Sequence, residues 1–163
     1  MKILTTLFTA LIMSLSGTAE WKIATENDPI TDDRQALAYT KGTTVDGSTF
    51  DYQPILGVML TQAKSGKMTV DAMIRIQTDG LRRGSTQVTY RLDSSDAVTV
   101  NAETSSDRRT AYIPNPVKFA SDMKAHTNLT VRYTTTLGAV RTTRFDLSGL
   151  SDALKSARSE IRP

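Results

Sequence analysis

Residues 54–62 read PILGVMLTQ, residues 63–66 AKSG, and residues 67–77 KMTVDAMIRIQ. The first run is strongly apolar. The last alternates, with Met68, Val70, Ala72, Ile74 and Ile76 at every second position. A period of two marks a strand with one buried side. Gly66 can take a positive φ at little cost, so the four residues between the runs read as a turn and the whole as a β-hairpin.

The same grammar continues on both sides. Upstream, Trp21 to Thr25 and Gln35 to Thr40 read as strands. Downstream come Gln87 to Leu92, the turn cluster 93–96, Ala97 to Ala102, and Thr110 to Ile113. Asn128 to Thr136 and Val140 to Leu147 flank Leu137-Gly138-Ala139, which predicts a second hairpin. Enrichment in Thr, Val and Tyr supports the strand reading. Two segments break the pattern. Residues 115–124 follow a proline with Val117, Phe119, Ala120 and Met123 at near-helical spacing. Residues 148–161 carry Leu150, Ala153, Leu154, Ala157 and Ile161 on one helical stripe, with Ser148 or Ser151 as the expected cap and Asp152 near the positive end. The expected fold is mainly β: a β-sandwich or partly open barrel of about eight antiparallel strands, with one short helix and a C-terminal helix.

Residues 1–19 read as an export leader. Lys2 gives the positive start, Ile3 to Leu15 the apolar middle, and Ser16-Gly17-Thr18-Ala19 the small-residue end, with cleavage expected after Ala19. The apolar stretch is shorter than the roughly 20 residues a spanning helix needs. Residues 20–163 are expected to form a single β-rich domain that is soluble and periplasmic, with no membrane span after cleavage. The chain contains no cysteine, which excludes disulfides, thiolate metal sites and thiol catalysis. The net charge is +3, with both signs interspersed. That fits a solvated surface better than a nucleic-acid stripe.

No catalytic motif stands out, so no enzymatic activity, metal or cofactor is expected. His126 is the sole histidine, in a polar turn, and reads as an exposed loop residue. Glu26, Asp28, Asp32 and Asp33 are dense enough to suggest calcium, but Pro29 interrupts them and the EF-hand spacing is missing; a solvated turn is the better account. Asp93 and Asp96 suggest a hydrolase pair, yet a general acid needs a buried carboxyl with a raised pKa, and these lie in a turn. Trp21 reads as a core anchor rather than a ligand platform. The serines lack a Gly-x-Ser-x-Gly setting. Asn128-Leu129-Thr130 fits a glycosylation pattern that matters only in a eukaryotic secretory route. The one binding candidate is basic. Arg82-Arg83 and Arg108-Arg109 stand in Gly/Ser-rich loops and, with Arg91, Arg132, Arg141 and Arg144, offer planar forks for an anionic glycan, a lipid head group or an acidic partner.

Several stretches together resemble a known family. They are Val88 to Asp93, Ser106 to Tyr112, Val117-Lys118-Phe119, Asn128 to Arg132, and Thr143 to Leu154 with its Phe145-Asp146-Leu147-Ser148-Gly149-Leu150 core. Trp21 and the turn Asp28 to Asp33 add to the pattern. The chain resembles the VasI (TagO) family of type VI secretion-associated periplasmic proteins. The resemblance implies a non-enzymatic accessory protein with a protein partner in the cell envelope. Two cysteines common in that family, one in the strand matching residues 54–62 and one near the C-terminus, are absent here. The alternative expectation is a prophage- or host-encoded envelope protein acting as an inhibitor or superinfection-exclusion factor.

Overall fold

The computed structural model describes residues 20–45, 53–76 and 79–162; residues 1–19, read above as an export leader, lie outside them. Ten strands and two helices follow in the order β1 (Lys22–Asn27), β2 (Arg34–Lys41), β3 (Thr43–Thr44), β4 (Ile55–Gln62), β5 (Met68–Arg75), β6 (Ser85–Leu92), β7 (Val98–Thr104), β8 (Thr110–Tyr112), α1 (Pro116–Lys124), β9 (Asn128–Thr134), β10 (Val140–Asp146) and α2 (Leu150–Ile161). All strand pairs are antiparallel, and the strands form one sheet in the order β1-β2-β4-β5-β8-β7-β6-β9-β10-β3. The sheet curls into a half-barrel. Of the two architectures expected, the partly open barrel is the one formed. The strand number is ten rather than about eight. Nine of the ten match runs read as strands above; the one that does not, β3, is only two residues long and has no periodicity to read.

Closure depends on one corner. β2 pairs with β4 near the start of the sheet, whereas β3, one residue further along the chain, pairs with β10 at its end. Gly42 turns that corner. A Cβ there would overlap the Thr143 Cγ2 methyl and stand 2.6 Å from Phe145 Cε1.

The concave face holds the core. Leu56, Val58, Ile74, Val88, Leu129, Val131 and Phe145 pack there, and α1 adds Phe119, Ala120 and Met123. Burying each large side chain stabilises by roughly 1.5–3 kcal/mol. Tyr90 and Phe119 meet edge to face, with ring centroids 4.9 Å apart, which ties α1 to β6. α2 lays Ala153, Ala157 and Ile161 over Ala36, Ala38 and Leu60, so the last helix covers β2 and β4. Trp21 is half-buried against this seam, its ring 3.6 Å from where a Gly149 side chain would start. It anchors the core, as its size suggests.

Three details depart from the sequence reading. β5 is not buried on one side alone: Met73 is fully buried on the opposite face, with Leu37, Tyr39, Ile55 and Met59. The continuous apolar run of β4 is the sign of a strand covered on both faces. Val117 is 66% exposed, because α1 turns its stripe through Phe119, Ala120 and Met123. Neither Ser148 nor Ser151 caps α2; Gly149 does, at φ 84°, while the Ser148 amide donates to Asp146 Oδ1 at 2.8 Å.

Candidate functional site

The hairpin turns decide where the arginines go. In β4–β5 the Ala63 amide donates to the Lys67 carbonyl and Gly66 takes φ 85°. In β9–β10 the Thr135 amide donates to the Ala139 carbonyl and Gly138 takes φ 79°. The β7–β8 turn is similar, but its left-handed position is Arg108, at φ 57°. An L-residue other than glycine pays roughly 1–2 kcal/mol for that conformation. Asp107 steadies the turn by accepting from the Ser105 hydroxyl and, at 3.0 Å, the Arg109 amide.

Three connections meet at this end of the sheet. The Leu81 amide donates to the Arg108 carbonyl at 2.6 Å, and the Thr104 hydroxyl to the Arg82 carbonyl at 2.9 Å. The Thr136 amide donates to the Gly80 carbonyl and its hydroxyl to the Asp79 carbonyl. The loop 79–84, the β7–β8 turn and the β9–β10 tip are thereby fastened into one rim. The two basic pairs, Arg82-Arg83 and Arg108-Arg109, stand on it together, and all four are exposed.

Two rim acids are already engaged, while Glu103, opposite Ser85, is exposed. Asp79 pairs with Arg141 at 3.6 Å, and Asp107 with Arg75 at 3.3 Å. Partial burial pushes the Asp107 carboxyl up, but the Ser105 hydroxyl, the Arg109 amide and Arg75 together bring it below the usual aspartate value. No ion pair joins Arg82, Arg83, Arg108 or Arg109 to a carboxylate among the described residues.

The rim continues onto the convex face of β7-β6-β9-β10. Register puts Val45, Thr142, Arg132, Thr89 and Thr99 in one row, and Thr43, Arg144, Thr130 and Arg91 in the next. Thr89 and Thr99 share a hydroxyl hydrogen bond of 2.8 Å. With strands about 4.8 Å apart, the Cα atoms of Arg91 and Arg144 are about 10 Å apart and Arg132 lies about 8 Å from each. Two shallow hollows mark the face. One, of about 410 Å³, is lined by Arg82, Ser85, Gln87, Asn101 and Thr134; the other, of about 290 Å³, by Thr89, Arg91, Thr130, Arg132 and Thr142. Arg141 does not join them. Its register partner is the inward-facing Tyr133, and Asp79 holds it.

Sequence reasoning missed the apolar part of this end. Leu137 at the hairpin tip is 79% exposed, Val140 56% and Val45 53%. Val45 and Val140 share the convex face with Thr142. A leucine in a turn that normally takes polar residues was the available signal.

The other candidates have structural roles. Asp93 Oδ1 accepts from the Thr127 hydroxyl at 2.9 Å and the Asn128 amide at 2.8 Å, fastening the β6–β7 turn to the start of β9. The Thr127 hydroxyl and these amides hold the exposed Asp93 carboxyl below the usual aspartate value, the reverse of what a general acid needs. Asp28 Oδ1 accepts from the Ile30 and Thr31 amides, which lower its pKa, and Asp32 pairs with Lys64 at 2.8 Å. That is the solvated turn expected. His126 is half-buried rather than exposed: its Nδ1 lies 2.8 Å from the Asp122 carbonyl at the end of α1.

No helix among the described residues is long and apolar enough to cross a membrane. No family model and no curated protein matches the sequence. Among solved structures the chain is similar to invasion associated protein B from Bartonella henselae, with a TM-score of 0.53 and 14% identity, over 90% of this chain and 98% of that one. At that identity the likeness is one of fold.

Proposed function

We propose that the chain is an exported, non-enzymatic binding protein of the periplasm that meets an anionic component of the cell envelope through its arginine rim. One observation carries the reading. Two basic pairs far apart in sequence share a rim on which Asp79 and Asp107 are already paired, and three more exposed arginines extend it across a face of threonine and amide side chains. Arginine forks recognise phosphate and carboxylate bidentately, and threonine hydroxyls supply the remaining hydrogen bonds. The leader-like residues 1–19 support export.

The test uses inorganic polyphosphate as the probe. The chain lacking its leader is expected to bind it with an affinity that falls steeply with salt. Changing Arg82, Arg83, Arg108 and Arg109 to glutamine is expected to abolish binding while leaving the circular dichroism spectrum unchanged. Wild-type protein that ignores the probe at low salt sinks the proposal. The resemblance to the VasI (TagO) family supports an accessory role beside the type VI secretion apparatus. A strain lacking the gene but secreting type VI effectors normally would count against that role.

A further inference from the structure

We infer that the anionic component is the surface of a phospholipid bilayer, and that the β9–β10 tip is the part that enters it. This rests on the binding reading above and adds what the arginines leave unexplained. A soluble polyanion has no use for exposed aliphatic side chains. Yet Leu137, Val140 and Val45, three of the seven large exposed apolar residues among those described, gather at one corner of the cationic end.

The geometry suits a shallow anchor. The tip is closed by the Thr135 amide on the Ala139 carbonyl and the Gly138 amide on the Thr135 carbonyl, with a further bond from the Ala139 amide to Thr135 Oγ1 at 3.3 Å. Thr136 fastens it to the loop carrying Arg82 and Arg83. Leu137 is therefore presented on a braced turn, with Gly138 and Ala139 adding no bulk or charge beside it. Seated on a bilayer, Leu137 and Val140 reach the boundary between head groups and acyl chains, and the rim arginines reach the phosphates beside them. Arg132 stands one row in from Val140 and adds a further phosphate contact. Of the carboxylates on the convex face of these strands, Asp93 and Asp146 stand at the far margin and accept backbone amides, while Glu103, paired with Ser85, stands beside the rim arginines. Between the tip and the loop arginines the acid among the described residues is Asp79, and Arg141 pairs with it at 3.6 Å.

The experiment is cosedimentation of the leaderless chain with vesicles of phosphatidylglycerol and phosphatidylcholine, against vesicles of phosphatidylcholine alone, with polyphosphate binding measured in parallel. Wild type is expected to pellet with the anionic vesicles and to be released by high salt. Leu137→Ser with Val140→Thr is expected to weaken vesicle binding about ten-fold and leave polyphosphate binding unchanged. Each rim arginine changed to glutamine is expected to weaken vesicle binding about five-fold. Polyphosphate binding without vesicle binding overturns the bilayer assignment and leaves the anionic reading standing. Vesicle binding that ignores the Leu137/Val140 pair also overturns it, since the tip then does not insert. Failure of both probes removes both readings.

Discussion

Alanine in place of Gly42 puts a methyl group where the barrel has no room. The new Cβ would overlap the Thr143 Cγ2 methyl and stand 2.6 Å and 2.9 Å from two Phe145 ring carbons. Neither neighbour can yield easily, because both are 0% exposed. Gly42 has no positive φ, so the effect is contact and not backbone strain. Overpacking a filled core costs typically 1–3 kcal/mol, and two immobile partners argue for about 3. For a chain of this size that lowers Tm by about 6–12 °C. Trp21, the sole tryptophan and an anchor at the α2 seam, reports unfolding by fluorescence. A urea titration of wild type and Gly42→Ala gives the difference directly. Adding Thr143→Ser removes the overlapping methyl and should recover part of the loss, the remainder being the contact with Phe145. A Gly42→Ala protein within about 0.5 kcal/mol of wild type would show that the corner can open, and the closure argument would be wrong.

Further outcomes follow from other sites. Arg108→Gly relieves a left-handed arginine, and after the entropy glycine adds to the unfolded chain it should gain about 0.5–1 kcal/mol in the same titration. Its binding to polyphosphate should fall at the same time, separating stability from recognition. Asp93, with its pKa held below the aspartate value of 3.8, contributes stability that is present above that value and lost as pH falls through the lower folded value. Asp93→Asn should therefore flatten the acid limb of a stability–pH curve measured from pH 6 downward; an unchanged limb contradicts the clamp. Phe119→Leu removes the edge-to-face contact with Tyr90 and should cost about 1–2 kcal/mol by urea unfolding.

Local physics made most of the strands legible. Alternation in β5 and β6, Gly66 and Gly138 in their turns, and the apolar stripe of α2 are properties of neighbours in sequence, and each appears where the residues put it. What escaped depends on partners far along the chain. β3 exists because β10 lies beside it, and nothing in Thr43-Thr44 foretells that. Met73 is buried because the far face of β4–β5 is covered as well. The four loop arginines were visible as charges, but their meeting depends on bonds between segments distant in sequence, the Leu81 amide on the Arg108 carbonyl and the Thr104 hydroxyl on the Arg82 carbonyl. Arg141 looked like its neighbours in β10 and was separated from Arg144 by parity alone, three positions putting the two on opposite faces. The apolar corner went unread because single exposed aliphatics are ordinary; it becomes informative only once register brings Val45 beside Thr142.

The pairing of β3 with β10, and of α2 with β2, sets an order of events. The earliest strands to be synthesised find their last neighbours only among the final ones, so no prefix of the chain holds a finished barrel. Contacts of such long separation form slowly. A polypeptide emerging from a ribosome would stay slack and threadable until α2 had been made, the state a translocation channel accepts. Pulse proteolysis of chains ending before Val140 should find them fully digestible; a resistant fragment would mean the first hairpins settle alone.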